Sequence, residues 1–320
     1  MPRAQLDPAL SVRVLGVREL RYDDRPVLGE DRPRHVRAAS GLAMVSGRLA
    51  VIQDDCAFIG YVGEQITATP LPRGPGGRRR FEELLGNKGD KLDLEACVVV
   101  QGELGEELWA FGSGSTPMRE KIAVIGYTTR LHDASPLYRR LREELSGPTA
   151  AESFRVPPAV NIEGVCVVNK EVWLFHRGNT GPHDPGPMIF KINKNAFTRW
   201  LASEAALPEI DATVPFELGE VDGVRLGFTD AVAVGARVFY LAAAEASPNA
   251  VDDGEVIASH IGVIDIDGVR AARLEVDGKP LKAEGLAFDP ADPRLAWVSI
   301  DPDNVDEPAR LYQIELVGPW

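Results

Sequence analysis

The sequence predicts an all-β fold, a five-bladed β-propeller that spans residues 1–320 as one domain. Three observations support this prediction. One short phrase recurs five times, each copy is followed by two further strand-like runs, and 31 glycines and 24 prolines among 320 residues indicate many turns. A repeat at a fixed period indicates an array of similar units, and four-stranded blades are the units of a propeller.

The recurring phrase is a polar or acidic residue, then a small residue, then an apolar run. Its five copies are SGLAMV from Ser40, EACVVV from Glu95, EGVCVV from Glu163, DAVAV from Asp230 and EGLAF from Glu284. A short apolar run bounded by turn residues is typical of a fully buried strand. We therefore expect these phrases to form the innermost strand of each blade.

A second and a third strand follow each phrase. The second strands are LAVIQDD, LWAFGSGS, VWLFHRGN, VFYLAAAE and LAWVSIDPD, and the third strands are FIGYV, IAVIGY, MIFKIN, IGVIDI and LYQIEL. The head residues recur 54 to 68 positions apart, and the two longer spacings contain the two best helical segments, 135–145 and 195–207. Ser135 and Pro136 are typical of an N-cap and a first helical residue. Without these insertions the unit has roughly 50–55 residues, the size of a blade, whereas an open α/β sheet would need a helix after every strand.

The last blade lacks a fourth strand, because only three strands remain after Glu284. The N-terminal run SVRVLGVREL at 11–20 is a strand with no blade of its own. Since open sheet edges are avoided, we expect this strand to complete the last blade and close the ring. Six blades are the alternative if one head phrase has diverged.

The charge and composition exclude several classes of partner. With 35 Lys and Arg against 48 Asp and Glu, the net charge is −13, which disfavours a nucleic-acid partner. No run approaches the ~20 apolar residues of a membrane span, so we expect no membrane partner. The cysteines Cys56, Cys97 and Cys166 form no CxxC pair and are expected to be buried thiols of a cytoplasmic protein. The oligomeric state is left open.

The head residues of a propeller converge on its central channel. Four carboxylates and one hydroxyl would then meet at one level, and the carboxylates would repel one another unless a cation lay among them. An all-oxygen ring favours Ca²⁺ over the smaller Mg²⁺. The alternative is that the acids accept hydrogen bonds from inner-strand amides. The predicted ligands are Ser40, Glu95, Glu163, Asp230 and Glu284, although Thr229 could face the axis in place of Asp230.

The second strands end in polar residues, which we expect to surround one mouth of the channel. Arg177 is the obvious anion-binding group there, and Arg119 and Lys121 could add positive charge for a phosphate or carboxylate. The other polar residues at these strand ends are Gln53, Asp54, Asp55, Ser113, Ser115, His176, Asn179, Glu245, Asp301 and Asp303.

The pattern resembles the calcium-activated nucleotidases, or apyrases, which are five-bladed propellers with an axial Ca²⁺ that hydrolyse nucleoside di- and triphosphates. Ser40 matches the first serine of that family's ring, and Glu95, Glu163 and Glu284 match its three glutamates. Asp54 and Asp55 fall where the family has an Asp-Asp pair, and Arg177 where it has an arginine after an aromatic strand. The chain departs from the family at Thr229–Asp230 and in the loops that handle the nucleotide, which here are GSGSTPMREK and RGNTGPHDPG.

The ring and the resemblance together predict a Ca²⁺-dependent hydrolase of a small anionic molecule, with a phosphoanhydride or phosphoester as the first substrate class and a lactone or ester as the second. Glu163 or Glu95 would be the general base, and Asp54 would orient the water. The alternative is a binding module in which an axial Ca²⁺ is structural. The predicted substrate-binding residues are Asp55, Ser113, Arg119, His176, Arg177 and Asn179.

Overall fold

The computed structural model describes residues 1–150, 158–179, 181, 184–246 and 254–320. The chain begins with two strands, β1 (Ala4–Leu6) and β2 (Ser11–Glu19). Blade 1 consists of β3 (Ala39–Val45), β4 (Arg48–Gln53), β5 (Phe58–Val62) and β6 (Ile66–Pro70). Blade 2 consists of β7 (Leu94–Gly102), β8 (Gly105–Gly112), β9 (Lys121–Ile125) and β10 (Thr129–Asp133).

Blade 3 consists of β11 (Ile162–Val168), β12 (Glu171–His176), β13 (Met188–Asn193) and β14 (Ala212–Pro215). Blade 4 consists of β15 (Glu220–Val221), β16 (Val224–Val234), β17 (Arg237–Glu245), β18 (Val256–Asp265) and β19 (Gly268–Arg273). A small hairpin of β20 (Glu275–Val276) and β21 (Lys279–Pro280) leads to blade 5. The last strands are β22 (Ala283–Phe288), β23 (Leu295–Ile300) and β24 (Arg310–Val317).

The N-terminal strand closes the ring as predicted. β2 pairs antiparallel with β24, with Ser11 opposite Val317 and Glu19 opposite Arg310, and so becomes the outermost strand of blade 5. The propeller therefore has five blades. β1 was not predicted as a strand, and it adds to blade 4 in parallel with β19. The first residues of the chain thus join blade 4 to blade 5.

The five inner strands β3, β7, β11, β16 and β22 form a ring in which each contacts its two neighbours. Five clusters of buried apolar residues lie between successive pairs of blades. Cys97 belongs to the cluster between blades 1 and 2, and Cys166 to the one between blades 3 and 4. All three cysteines are buried and unpaired, as predicted.

Both predicted helices are present, with different bounds: α1 spans Ser135–Ala150 and α2 spans Lys194–Leu201. Ser135 is the first helical residue of α1 instead of its cap, and the Asp133 carboxylate accepts hydrogen bonds from the Ser135 amide (3.3 Å) and hydroxyl (2.8 Å). α2 stops earlier than predicted because Ser203 has a left-handed backbone conformation, with φ of 62°.

Both helices pack on the cluster between blades 2 and 3. The described connections contain four short 3-10 helices, at Pro75–Gly77, Glu83–Leu85, Lys88–Asp90 and Pro117–Arg119. Among the described residues, no helix is long and apolar enough to cross a membrane.

Candidate functional site

Each inner strand contains the same irregularity. Its pairing with the second strand skips one residue, and the skipped residues are Ser40, Glu95, Glu163, Thr229 and Glu284. Such a β-bulge leaves one residue without a partner in the ladder and re-aims its side chain. The five blades therefore carry equivalent bulge residues in their inner strands, three of which are glutamates.

The structure places Thr229, and not Asp230, in this ring of bulge residues. The Thr229 hydroxyl donates to the Ala283 carbonyl at 2.7 Å. The Asp230 carboxylate accepts hydrogen bonds from the amides of Ala231 (2.7 Å) and Leu286 (2.6 Å), so it links blade 4 to blade 5. Asp230 is the residue directly after the bulge. In the other four blades the equivalent residue is small: Gly41, Ala96, Gly164 and Gly285.

Glu163 is held by groups of the protein itself. Its Oε1 accepts hydrogen bonds from Asn161 Nδ2 (2.7 Å) and Arg177 Nη1 (3.3 Å). Arg177 also pairs with Glu245 and donates from Nε to the Asn179 side chain at 2.9 Å. Burial raises the pKa of Glu163, and the Arg177 guanidinium reduces that rise. The cation that was predicted to bind a substrate anion is therefore buried between two carboxylates.

A second internal cation lies beside Glu95. Lys91 Nζ is 2.6 Å from Asp54 Oδ2 and 2.7 Å from Asp93 Oδ1, and Arg119 Nη1 is 3.0 Å from Asp93 Oδ2. Burial opposes ionisation of Asp93, but Lys91 and Arg119 outweigh it and lower its pKa. Asp93 is therefore held as a carboxylate next to the half-buried Glu95.

Glu95 and Glu284 are the bulge carboxylates with the least compensation. Burial raises the pKa of Glu95 well above its ordinary value, and the charges of Asp93, Glu163 and Asp54 add to the rise. Burial likewise raises the pKa of Glu284, although Lys282 and Arg177 oppose the shift. Burial therefore disfavours the charged form of both glutamates, and in Glu95 the neighbouring acids add to this effect.

One group of carboxylates has dimensions that fit a metal ion. Oxygens of Asp54, Asp93 and Glu95 all lie within 4.8 Å of one another. Carboxylate oxygens that share one bound cation lie within about this separation, because Ca²⁺–oxygen bonds are about 2.3–2.6 Å long. Asp54 Oδ1 is also buried without a hydrogen-bond partner. This donor set fits Ca²⁺, although it lies on blades 1 and 2 and includes only Glu95 of the ring.

A polar cavity of about 480 Å³ opens beside this cluster, between blades 1 and 5. Burial raises the pKa of Asp301 in its wall to about 7, and burial together with Asp54 raises that of Asp55 to about 6. Arg37 Nε lies 2.8 Å from Asp55 Oδ2, and Arg37 Nη1 donates to Glu82 at 2.9 Å. The ionisable residues that line the cavity are Arg37, Asp54, Asp55, Glu82, Glu83, Lys88, Lys91, Asp301 and Asp303.

The other predicted substrate-binding residues are buried and bonded within the protein. Ser113 donates to Asp93, and Arg119 donates to Ser115 Oγ at 2.8 Å. His176 is fully buried, with Nδ1 3.1 Å from the Asn161 amide and Nε2 3.4 Å from Asp184 Oδ1. The Asn179 amide group donates to the carbonyls of Arg225 and Ala243. None of these four side chains is among the described residues that line the cavity.

The sequence analysis missed the cations that neutralise the ring. In two of the five blades such a cation comes two or four positions before the bulge: Lys282 before Glu284 and Lys91 before Glu95. The alternating charges of KLDLE at 91–95 were the clearest available signal, since residues two apart in a strand share a face. The alternation therefore indicates that Lys91 and Asp93 lie on the same side of the chain as Glu95.

Fold and site together define the class, a five-bladed β-propeller with a carboxylate-rich polar mouth. The chain belongs to DUF6929, a family of unknown function, whose model matches residues 35–316. No curated protein matches the sequence. The matching family is not that of the calcium-activated nucleotidases, so a nucleotidase activity rests on the residue correspondences alone.

Solved structures with similar architecture are distant. A streptogramin B lyase is 13% identical, with 86% of this chain and 78% of that chain covered and a TM-score of 0.39. Virginiamycin B lyase from Staphylococcus aureus is 14% identical, with coverages of 86% and 80% and a TM-score of 0.36. A protein of unknown function from Bacteroides thetaiotaomicron is 10% identical, with coverages of 96% and 76% and a TM-score of 0.41. Likenesses this distant bear on neither substrate nor cofactor.

Proposed function

We propose that the protein is a Ca²⁺-dependent hydrolase whose reaction takes place at the polar mouth of the channel. The observation that carries the proposal is the carboxylate cluster of Asp54, Asp93 and Glu95 beside a cavity of about 480 Å³. The unpartnered Asp54 Oδ1 adds a donor atom that the protein itself does not satisfy. When bound, the Ca²⁺ ion would supply a Lewis acid that polarises a substrate oxygen.

The residues of the polar mouth would have three different roles. Asp54, Asp93 and Glu95 would hold the ion, and the Arg177–Glu163 pair would hold the neighbouring inner strands in place. Asp301 lies in the cavity wall and would accept the proton of an attacking water, a role that suits a carboxylate with a pKa of about 7. Ser40 and Glu284 remain proposed ligands outside this cluster.

The charge balance of the cavity favours a neutral substrate over an anionic one. Six acids and three bases line it, and two of those bases, Arg37 and Lys91, are already paired with carboxylates. A lactone or other ester is therefore the preferred substrate class. A phosphoester or phosphoanhydride is second, because it would depend on the charge of the ion for its binding.

A screen of lactones, esters, phosphoesters and nucleotides with Ca²⁺ or with a chelator tests the proposal. We expect turnover of one class that requires Ca²⁺ and is lost in Glu95→Gln. Glu103→Gln is the matched control, since it makes the same change at an exposed turn and should keep full activity. If no substrate class is turned over at high enzyme concentration with Ca²⁺ present, the hydrolase proposal is wrong.

One observation favours a second candidate, a non-enzymatic module with a structural Ca²⁺. Arg119, His176 and Arg177 are buried and form hydrogen bonds or ion pairs within the protein, so few of the described groups remain to bind a substrate. A chelator would then lower the melting temperature of a protein that turns over none of the screened compounds.

A further inference from the structure

The channel has a second cavity, of about 510 Å³, at the end opposite the polar mouth. The inner strands of all five blades contribute to it with the residues that follow their bulges. Its wall is apolar, and the side chains that define it are Met44, Val99, Val167, Val232, Val234 and Phe288. We call this space the apolar mouth.

The apolar mouth is open at one end and closed at the other. Met44, Val99 and Val232 are half-buried, so part of their apolar surface is uncovered. One layer deeper, towards the bulges, Leu42 is 3% exposed and Val165 is 1% exposed. This deeper layer separates the apolar mouth from the carboxylates. A ligand would therefore enter from the open end only.

The lining offers almost no partner to a charged ligand. Two of its residues, Cys97 and Cys166, are buried, and burial raises the pKa of both thiols, which keeps them neutral. Asp289 lies at the rim, where its carboxylate accepts a hydrogen bond from the Ala291 amide at 2.8 Å. A charged group would meet no side chain of opposite charge among the described lining residues, whereas an uncharged apolar group would cover exposed valine and methionine surface.

The shape further limits what can enter. Five strands surround the space, so the flat surface of another protein cannot reach the lining, while a ring or a chain can. The volume falls in the range of small-molecule pockets, roughly 300–1,000 Å³. We propose that the apolar mouth binds an uncharged apolar group, either a free aliphatic or aryl small molecule or the chain of an acyl compound.

Titration of the full-length protein with the neutral fluorophore N-phenyl-1-naphthylamine tests this proposal. We expect saturable binding of one probe per chain, unchanged by a chelator. Displacement by decanol alone would identify a free neutral ligand, and displacement by both decanol and decanoate an acyl chain with its head group outside. The absence of saturable binding would overturn the proposal.

Two variants locate the bound probe. Val167→Trp fills the cavity and should abolish binding, whereas Val27→Trp adds the same side chain at a position that is 69% exposed and should leave binding unchanged. Because Val167→Trp could overpack the channel, the double variant Val99→Thr/Val167→Thr keeps the shape and adds two hydroxyls. We expect it to melt as the wild type does and to bind about 10-fold more weakly.

Probe binding that is unchanged in both Val167→Trp and Val99→Thr/Val167→Thr would overturn the assignment of the probe to this cavity. The inference does not depend on the proposed hydrolase. Glu95→Gln should lose Ca²⁺-dependent turnover and keep probe binding, so the two proposals can fail separately.

Discussion

At the polar mouth, carboxylate oxygens of Asp54, Asp93 and Glu95 lie within 4.8 Å of one another and are balanced in part by Lys91. At the apolar mouth, the same inner strands present half-buried side chains such as Val99 and Val232. The change from one chemistry to the other occurs within a few residues of each bulge.

This difference shows where the electrostatic cost of the fold is concentrated. The polar mouth contains buried carboxylates with raised pKa values, held by a few internal cations. Removal of one cation should therefore have a large effect that depends on pH and on added Ca²⁺. The apolar mouth contains no comparable charge among its described lining residues, so changes there should be small and independent of both conditions.

Arg177→Met should have the largest effect on stability. It leaves Glu163 and Glu245, 4% and 1% exposed, without their shared counter-ion. Breaking a buried ion pair on one side typically costs about 3–5 kcal/mol, and we expect a loss of this size in urea unfolding at pH 8. Arg3→Met, on a side chain that is 68% exposed, is the control and should unfold like the wild type. Equal midpoints for the two variants would mean that the buried network does not stabilise the fold.

Lys91→Met should have the second largest effect, and Ca²⁺ should reverse much of it. Without the ammonium group, Asp54 and Asp93 repel each other and Glu95, and we expect a loss of about 2–4 kcal/mol in the presence of a chelator. Ca²⁺ should then bind about 10-fold more tightly than to the wild type, since the competing cation is gone. Calorimetric titration measures the affinity.

The matched control for Lys91→Met is Lys88→Met, three residues earlier. Lys88 also lines the polar mouth but is exposed, so its removal should leave both stability and Ca²⁺ affinity close to the wild type. If Ca²⁺ stabilises none of these proteins, the Asp54–Asp93–Glu95 cluster is not a metal site.

The propeller could be predicted from the sequence because each blade repeats one pattern. Five head phrases gave the number of inner strands, and the unassigned strand at 11–20 gave the closure of blade 5. The bulges could be predicted only in part. At Thr229–Asp230 both side chains are polar, and only the strand register shows that Thr229 is the bulge residue.

The internal counter-ions could not be predicted, because they depend on contacts between different blades. Arg177 on blade 3 reaches Glu245 on blade 4, and Lys91 before blade 2 reaches Asp54 on blade 1. Sequence reasoning assigned Arg177 to a substrate because it is the obvious anion-binding group at the strand ends and matches an arginine of the calcium-activated nucleotidases. Here the bulge glutamate of the same blade lies close enough to pair with it.

Asp301→Asn should have a moderate effect that depends on pH. The pKa of Asp301 is raised from 3.8 to about 7, so the folded protein binds this proton more tightly than the unfolded chain does. Wild-type stability should therefore fall as the pH rises from about 4 to 7. Asn removes the charge, and we expect it to stabilise the protein by about 1–3 kcal/mol at pH 8 and by almost nothing below pH 4.

Urea unfolding of Asp301→Asn between pH 4 and 8 measures this difference. Asp267→Asn, at an exposed turn, is the control and should follow the wild type at every pH. A constant difference between Asp301→Asn and the wild type across this range would contradict the assignment.

Val98→Ala should have the smallest effect of the four. Val98 lies at the apolar mouth and is half-buried, so its truncation removes few contacts and leaves no closed cavity. We expect a loss of less than about 1 kcal/mol, against about 2–3 kcal/mol for Val165→Ala, an inner-strand valine that is 1% exposed. The loss in Val98→Ala should be the same at pH 5 and pH 8, with or without Ca²⁺, because the layer of Leu42 and Val165 lies between Val98 and the bulge carboxylates. A loss in Val98→Ala that changes with Ca²⁺ would instead show that the two mouths are energetically coupled through that layer.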